Sequence, residues 1–232
     1  LESTNPIAFT IGTTAPLATT PSTELPVSTG VTPDAPAVQS ATHPDPSAWY
    51  ANPTPQLSWE LPSDVTKVAF LIDRAASTVP TRSLSRVIST YTVTKPLSDG
   101  IWFAHVRLGN RTGLGAIAHY RLGIDTKPPS AFTIEPVQDP EGVDRPYRSF
   151  RFNATDELSG IASYSVSLNG ATPVVWHDDE THIFTTPHLP PGTYTLLARA
   201  IDGAGNALAT SIDFTITALE KPVIETYSPT LK

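Results

Sequence analysis

The densest run of potential metal ligands in the 232-residue chain is His177-Asp-Asp-Glu-Thr-His182, two histidines and three carboxylates within six residues. Imidazole and carboxylate both ligate divalent cations, so such a run could hold a metal on a loop or an edge strand. The spacing that sets two histidines on one helical face is absent, and no further fixed ligand is evident. The run therefore reads as a solvated connection whose charges blunt a strand edge. Hydrolysis finds less support. There is no Gly-x-Ser-x-Gly turn to expose a serine nucleophile. His105 lies on a strand with Trp102 and Val106, and His119 sits beside Tyr120, positions that suit packed or edge residues better than a base. Asp178 and Asp179 fall in a predicted loop with nothing to fix their separation. No glycine loop cradles a phosphate, so the chain reads as non-catalytic.

Aromatic stacking is the remaining chemistry. Trp49, Tyr50, Trp102, Phe103, Tyr147 and Trp176 would grip sugar rings if several shared one exposed face. Trp49, Tyr50 and Trp102 are the ligand-binding candidates, because adjacent rings in an extended segment must point to opposite sides. Trp59, and one of Trp102 or Phe103, are needed for a core. Asn110-Arg-Thr112 and Asn153-Ala-Thr155 fit the three-residue glycosylation pattern.

These residues must be positioned by a chain of unusual composition. It has 24 prolines, 13 glycines, no cysteine and no methionine, with a net charge of −7. Zero cysteine excludes disulfides, thiol nucleophiles and thiolate zinc sites. With 15 Lys and Arg against 22 Asp and Glu, a nucleic-acid partner is disfavoured, since phosphate contacts need a basic face. No apolar run approaches the roughly 20 residues that span a bilayer. A start at Leu1 rather than methionine reads as a piece of a longer chain. The first basic residue is Lys67, so the acidic excess sits largely in the first 66 residues. Residues 1–33 are half Pro, Ser and Thr, which cannot bury much apolar surface, and read as an extended tether. Within it, residues 6–11 alternate like the last strand of an upstream domain.

Beyond the tether the sequence repeats itself at an offset of 92. Leu97, Gly100, Trp102, Arg107 and Gly113 answer Leu189, Gly192, Tyr194, Arg199 and Gly205, and Pro36 answers Pro128. Each copy carries period-two runs of β-branched and aromatic residues divided by turn signals such as Asp99-Gly100 and Asn169-Gly170. Strands are expected over 56–61, 67–72, 86–93, 101–108 and 116–124, then over 149–153, 163–168, 182–185, 192–201 and 208–216. Alternation turns Leu57, Trp59, Phe150, Phe152, Tyr164, Val166 and Leu168 inward. The reading is all-β: two tandem sandwiches, residues 34–125 and 126–218, with 219–232 a linker or the start of a further repeat. The join Asp125-Thr-Lys-Pro-Pro129 is too short and stiff to be floppy.

The second copy, with Asp156-Glu-Leu-Ser-Gly-Ile161, Pro191-Gly-Thr-Tyr194 and Ala198-Arg-Ala-Ile-Asp-Gly-Ala-Gly-Asn206, resembles immunoglobulin-like repeats of bacterial surface and secreted proteins. The first copy, with Ser58-Trp59, Gly100-Ile-Trp102, Asn110-Arg-Thr-Gly113 and Ile124-Asp-Thr-Lys-Pro-Pro129, is similar to fibronectin type III-like modules. The resemblance implies an extracellular or cell-surface location and a stalk or spacer role, with neighbouring domains of the same polypeptide as partners. It leaves open adhesion to a glycan or surface protein, or service as the accessory region of a secreted enzyme. It implies no cofactor other than calcium, which related repeats sometimes bind at module junctions, and Asp125, Asp156, Glu157 and Asp202 are the oxygen donors to consider.

Overall fold

Period-two alternation produces two separate sandwiches in a computed structural model, which describes residues 30–138 and 144–218. The strand expected at 6–11, most of the tether and the 219–232 segment lie outside the described residues. In the first module β1 (Gln39–Ser40), β3 (Gln56–Ser58) and β5 (Thr90–Thr92) make a three-stranded sheet in the order β1-β3-β5. Facing it is a four-stranded sheet in the order β2-β7-β6-β4, built from β2 (Trp49–Tyr50), β4 (Lys67–Asp73), β6 (Gly100–Gly109) and β7 (Leu114–Ile124). All pairings are antiparallel except β2 with β7, which is parallel. Between the sheets lie Leu57, Trp59, Val68, Ala104, Val106, Leu108, Tyr120 and Leu122.

The second module repeats the three-on-four plan. One sheet is β12-β9-β8, from β8 (Glu135–Pro136), β9 (Ser149–Arg151) and β12 (Ile183–Thr185). The other is β11-β10-β13-β14, from β10 (Ile161–Leu168), β11 (Val174–Trp176), β13 (Gly192–Asp202) and β14 (Ala207–Ile216). Phe150, Phe152, Tyr164, Val166 and Leu196 fill its own core, each large side chain contributing about 1.5–3 kcal/mol by leaving water. The Tyr164 hydroxyl stays satisfied by accepting a hydrogen bond from Ala154 N at 2.8 Å, and burial pushes its ionisation upward. The inward residues expected from alternation are buried, with Leu168 partly so.

Two turns show how local chemistry divides the strands. Leu168 O accepts from Ala171 N at 2.9 Å, and Asn169 and Gly170 both take positive φ (49° and 72°), the Asn-Gly solution for a tight reversal. The 86–93 strand contracts to Thr90–Thr92 at the free edge of its sheet, where all three residues are exposed, and Val93 N continues the contact by donating to Pro55 O at 3.0 Å. The 56–61 strand ends at Ser58, although Trp59 N still donates to Ser89 O at 2.9 Å. Among the described residues there is no helix, and hence none long and apolar enough to cross a membrane.

Candidate functional site

The modules meet at Asp125, the residue after β7. Its backbone N–H donates to Tyr50 O at 3.0 Å, which anchors it to the first module. Its side chain and carbonyl belong equally to the second, since Ser159 N donates to Oδ2 at 3.2 Å and Asn206 Nδ2 donates to the carbonyl at 2.9 Å. The next residue is held from behind, with Thr126 N and Oγ1 donating to Asp99 Oδ1 at 3.0 and 2.8 Å. Ser130 N then bonds Thr155 O and starts the second module. Of the four residues between Asp125 and Ser130, Thr126 is bonded to Asp99, Lys127 N donates to Asp125 Oδ1 at 3.3 Å, and the other two are prolines with fixed φ.

Two further aspartates close on the same point. Asp156 caps its own loop, its Oδ1 accepting from the N–H groups of Leu158, Ser159 and Gly160 at 2.9–3.0 Å. Asp202 ends β13 and organises the β13–β14 turn, Oδ1 accepting from Ala204 N and Asn206 N, and Oδ2 from Asn206 Nδ2. The two loops lie close: Gly203 N donates to Gly160 O, and a Cβ at Gly203 would stand 2.7 Å from Ser159 O. One carboxylate oxygen from each of Asp125, Asp156 and Asp202 falls within 4.8 Å of the others. Asp125 is 1% exposed and Asp202 2%. Among the described residues no Lys, Arg or His pairs with any of the three. At such a separation each pair of like charges repels by roughly 3 kcal/mol at an effective dielectric of about 20.

The offset of 92 exposes a counterpart in the first module. Asp64 stands where the second module has Asp156, Asn110 where it has Asp202, and Pro33 where it has Asp125. Asn110 is wholly buried, and its Oδ1 caps the β6–β7 turn by accepting from Thr112 N and Gly113 N. Its Nδ2 donates to Asp64 Oδ2 and to Val31 O, both at 2.8 Å. A neutral amide thus satisfies the lone acid, where the second module gathers three acids. Asn110 and Asp64 went unnoticed as site residues from sequence, although the repeat spacing marks them. The burial of Asn110 also shows its glycosylation pattern to be a turn.

The other sequence candidates lie elsewhere. Glu157 is exposed and outside the acidic cluster, which is the only group of three or more ligand side chains among the described residues. In the 177–182 run, Asp178 pairs with His182 and accepts from its backbone N–H, while the Thr181 hydroxyl and then its N–H hold the Asp179 carboxyl below its usual range. His177 turns to Ala162 O. The run is wired into its own loop. Trp49 lies on the side of the sheet shared with Gly123 and Ile101, whereas Trp102 pairs with Leu122 and packs on the core side. The Arg121 guanidinium stands 5.2 Å from the Trp49 ring, and that of Arg74 4.2 Å from Trp102. Tyr50 packs 4.5 Å from His43 and exchanges hydrogen bonds with the Asp45 backbone. The three rings are therefore not gathered on one side of the sheet.

No known family matches the chain, and no curated protein matches it. Solved structures do. The fibronectin(III)-like modules of CbhA from Clostridium thermocellum share 13% identity, with 78% of this chain and 94% of that chain covered and a TM-score of 0.45. The FN1–FN3 domains of chicken CNTN1 share 14%, covering 82% and 68%, at a TM-score of 0.44. Domains A168–A170 of titin share 12%, covering 74% and 61%, at 0.47. The fold itself is all-β, two sandwiches in tandem.

Proposed function

We propose that the chain is a non-catalytic spacer of a bacterial extracellular or surface protein, holding neighbouring domains at a set distance, and that calcium at Asp125, Asp156 and Asp202 stiffens its junction. The observation that carries the reading is the double tenure of Asp125, bonded to Tyr50 on one side and to Ser159 and Asn206 on the other. A bead-on-string arrangement has no use for such a residue; a fixed separation does. The assignment to the outside of a bacterial cell rests on the sequence resemblance alone.

The donor set suits the ion. Three carboxylates offer hard oxygen ligands and no nitrogen or sulfur, the preference of Ca2+. Two oxygens each about 2.4 Å from one ion stand no more than about 4.8 Å apart, so the cluster is already within closing distance. Bound there, the cation would supply the positive charge that two buried acids lack, and would tie the β13–β14 turn, the 156–160 loop and the interdomain link together. The test is small-angle scattering with calorimetry on the chain with and without Ca2+. A narrower interdomain distance distribution and a higher melting temperature with Ca2+ are expected. A broad distribution under both conditions would overturn the spacer reading; a narrow one that ignores Ca2+ would retire only the ion.

A further inference from the structure

A second cluster of titratable groups sits on the outward side of the four-stranded sheet in the first module, apart from the junction. His105 on β6 and His119 on β7 are direct cross-strand partners, and Asp73 ends the neighbouring strand β4. Trp102, Ala104 and Val106 take the core side of β6, so His105 points the other way. It is nonetheless wholly buried, with the Phe103 ring 6.4 Å away, while His119 is exposed. Asp73 Oδ1 accepts from His105 Nε2 at 3.2 Å. Asp73 is held in place for this bond, since its Oδ1 also accepts from Ala75 N at 2.8 Å. The other ring nitrogen, His105 Nδ1, faces His119 Nδ1 at 2.6 Å.

We propose that His105 and His119 form a two-imidazole site for a borderline transition-metal cation of the Zn2+, Ni2+ or Cu2+ class, with Asp73 as the positioning residue for the buried ring. A ligating histidine that donates its other N–H to a carboxylate is the usual support of such a site, fixing tautomer and orientation. Nitrogen ligands about 2.0–2.1 Å from a tetrahedral ion lie about 3.4 Å apart, so one ring must withdraw by somewhat under an ångström and turn until both Nδ1 lone pairs meet at the ion. The exposed His119 is free to do so. Two nearby cations are directed elsewhere: the Arg107 guanidinium donates to Gly115 O and Leu114 O, and that of Arg121 to the carbonyls of Pro46, Ser47 and Ala48. Nitrogen ligands make this site distinct in selectivity from the all-oxygen junction.

Isothermal titration of Zn2+ and Ni2+ into the full chain at about pH 7.5, with excess Ca2+ present to occupy carboxylates, tests the site. One saturable event in the micromolar range is expected, at least tenfold weaker in His119→Ala and about 10–100-fold weaker in Asp73→Asn. His119 is exposed, so its variant keeps the fold, and far-ultraviolet circular dichroism checks both proteins. The double variant His177→Ala/His182→Ala should bind as the wild type does. Absence of saturable binding below about 1 mM would overturn the proposal, as would binding unchanged in His119→Ala or abolished in the 177/182 variant. Unchanged binding in Asp73→Asn would remove that residue from it.

Discussion

The turn that closes β6 and β7 and the turn that closes β13 and β14 perform one structural task, the first with a neutral amide and the second with a carboxylate. In the first module a buried amide caps the turn with its oxygen and spends its N–H groups on Asp64 and on Val31 O. In the second a buried carboxylate caps the turn by accepting from Ala204 N and Asn206 N, faces two more carboxylates, and among the described residues meets a side-chain donor in Asn206. Asp202 in place of Asn110, together with Asp125 in place of Pro33, separates a turn with one satisfied acid from one with three acids gathered. A shared hairpin plan therefore fixes where polar groups gather, and the local choice between Asn and Asp decides whether the gathering is neutral.

The largest effect should come from forcing the first turn into the second's chemistry. Asn110→Asp places a buried charge against Asp64 and a carbonyl with no cation to answer it. The first module should lose about 3–5 kcal/mol, read by urea denaturation in EDTA. A loss under about 1 kcal/mol would show that the buried amide is not what keeps the first turn neutral. Next in size, chelating Ca2+ should destabilise the second module by about 2–3 kcal/mol if the ion was held at 100 times its Kd, read as a lower melting temperature of that module alone. The reciprocal change, Asp202→Asn, should leave a folded second module that no longer responds to Ca2+; a calcium shift that survived it would place the ion elsewhere. Smallest is Asn206→Ala, which deletes the bonds to Asp125 O and Asp202 Oδ2 and should cost about 1–2 kcal/mol while broadening the interdomain distance distribution.

Much of this was legible from sequence where the signal is local or repeated. Phe150, Phe152, Tyr164 and Val166 alternate visibly, and Asn169-Gly170 announces its reversal. The offset of 92 aligns the two hairpins, Gly100 with Gly192 and Gly113 with Gly205. Three of the four acids named for the junction do converge; Glu157 does not, because it follows Asp156 by one position and that loop turns it to solvent. What stayed hidden depends on pairing between segments far apart in the chain. The parallel match of Trp49 and Tyr50 with Gly123 and Ile124 has no local signature, nor has the meeting of Asp73 with His105 across 32 positions. The opposite placement of Trp49 and Trp102 follows from strand register, and register is set by the assembled core rather than by any five-residue window.

The path of the chain through the first module bears on how it would carry tension. Pro33 lies so close to the start of β7 that a Cβ at Gly115 would stand 1.8 Å from its carbonyl oxygen, and the chain leaves at Asp125, past the far end of that strand. A pull applied at these two points runs along the strand, not across it. The bonds of Ala116 to Pro33 and of Asp125 to Tyr50 would then be strained in shear together instead of being peeled open singly, which is the arrangement of a link that resists extension.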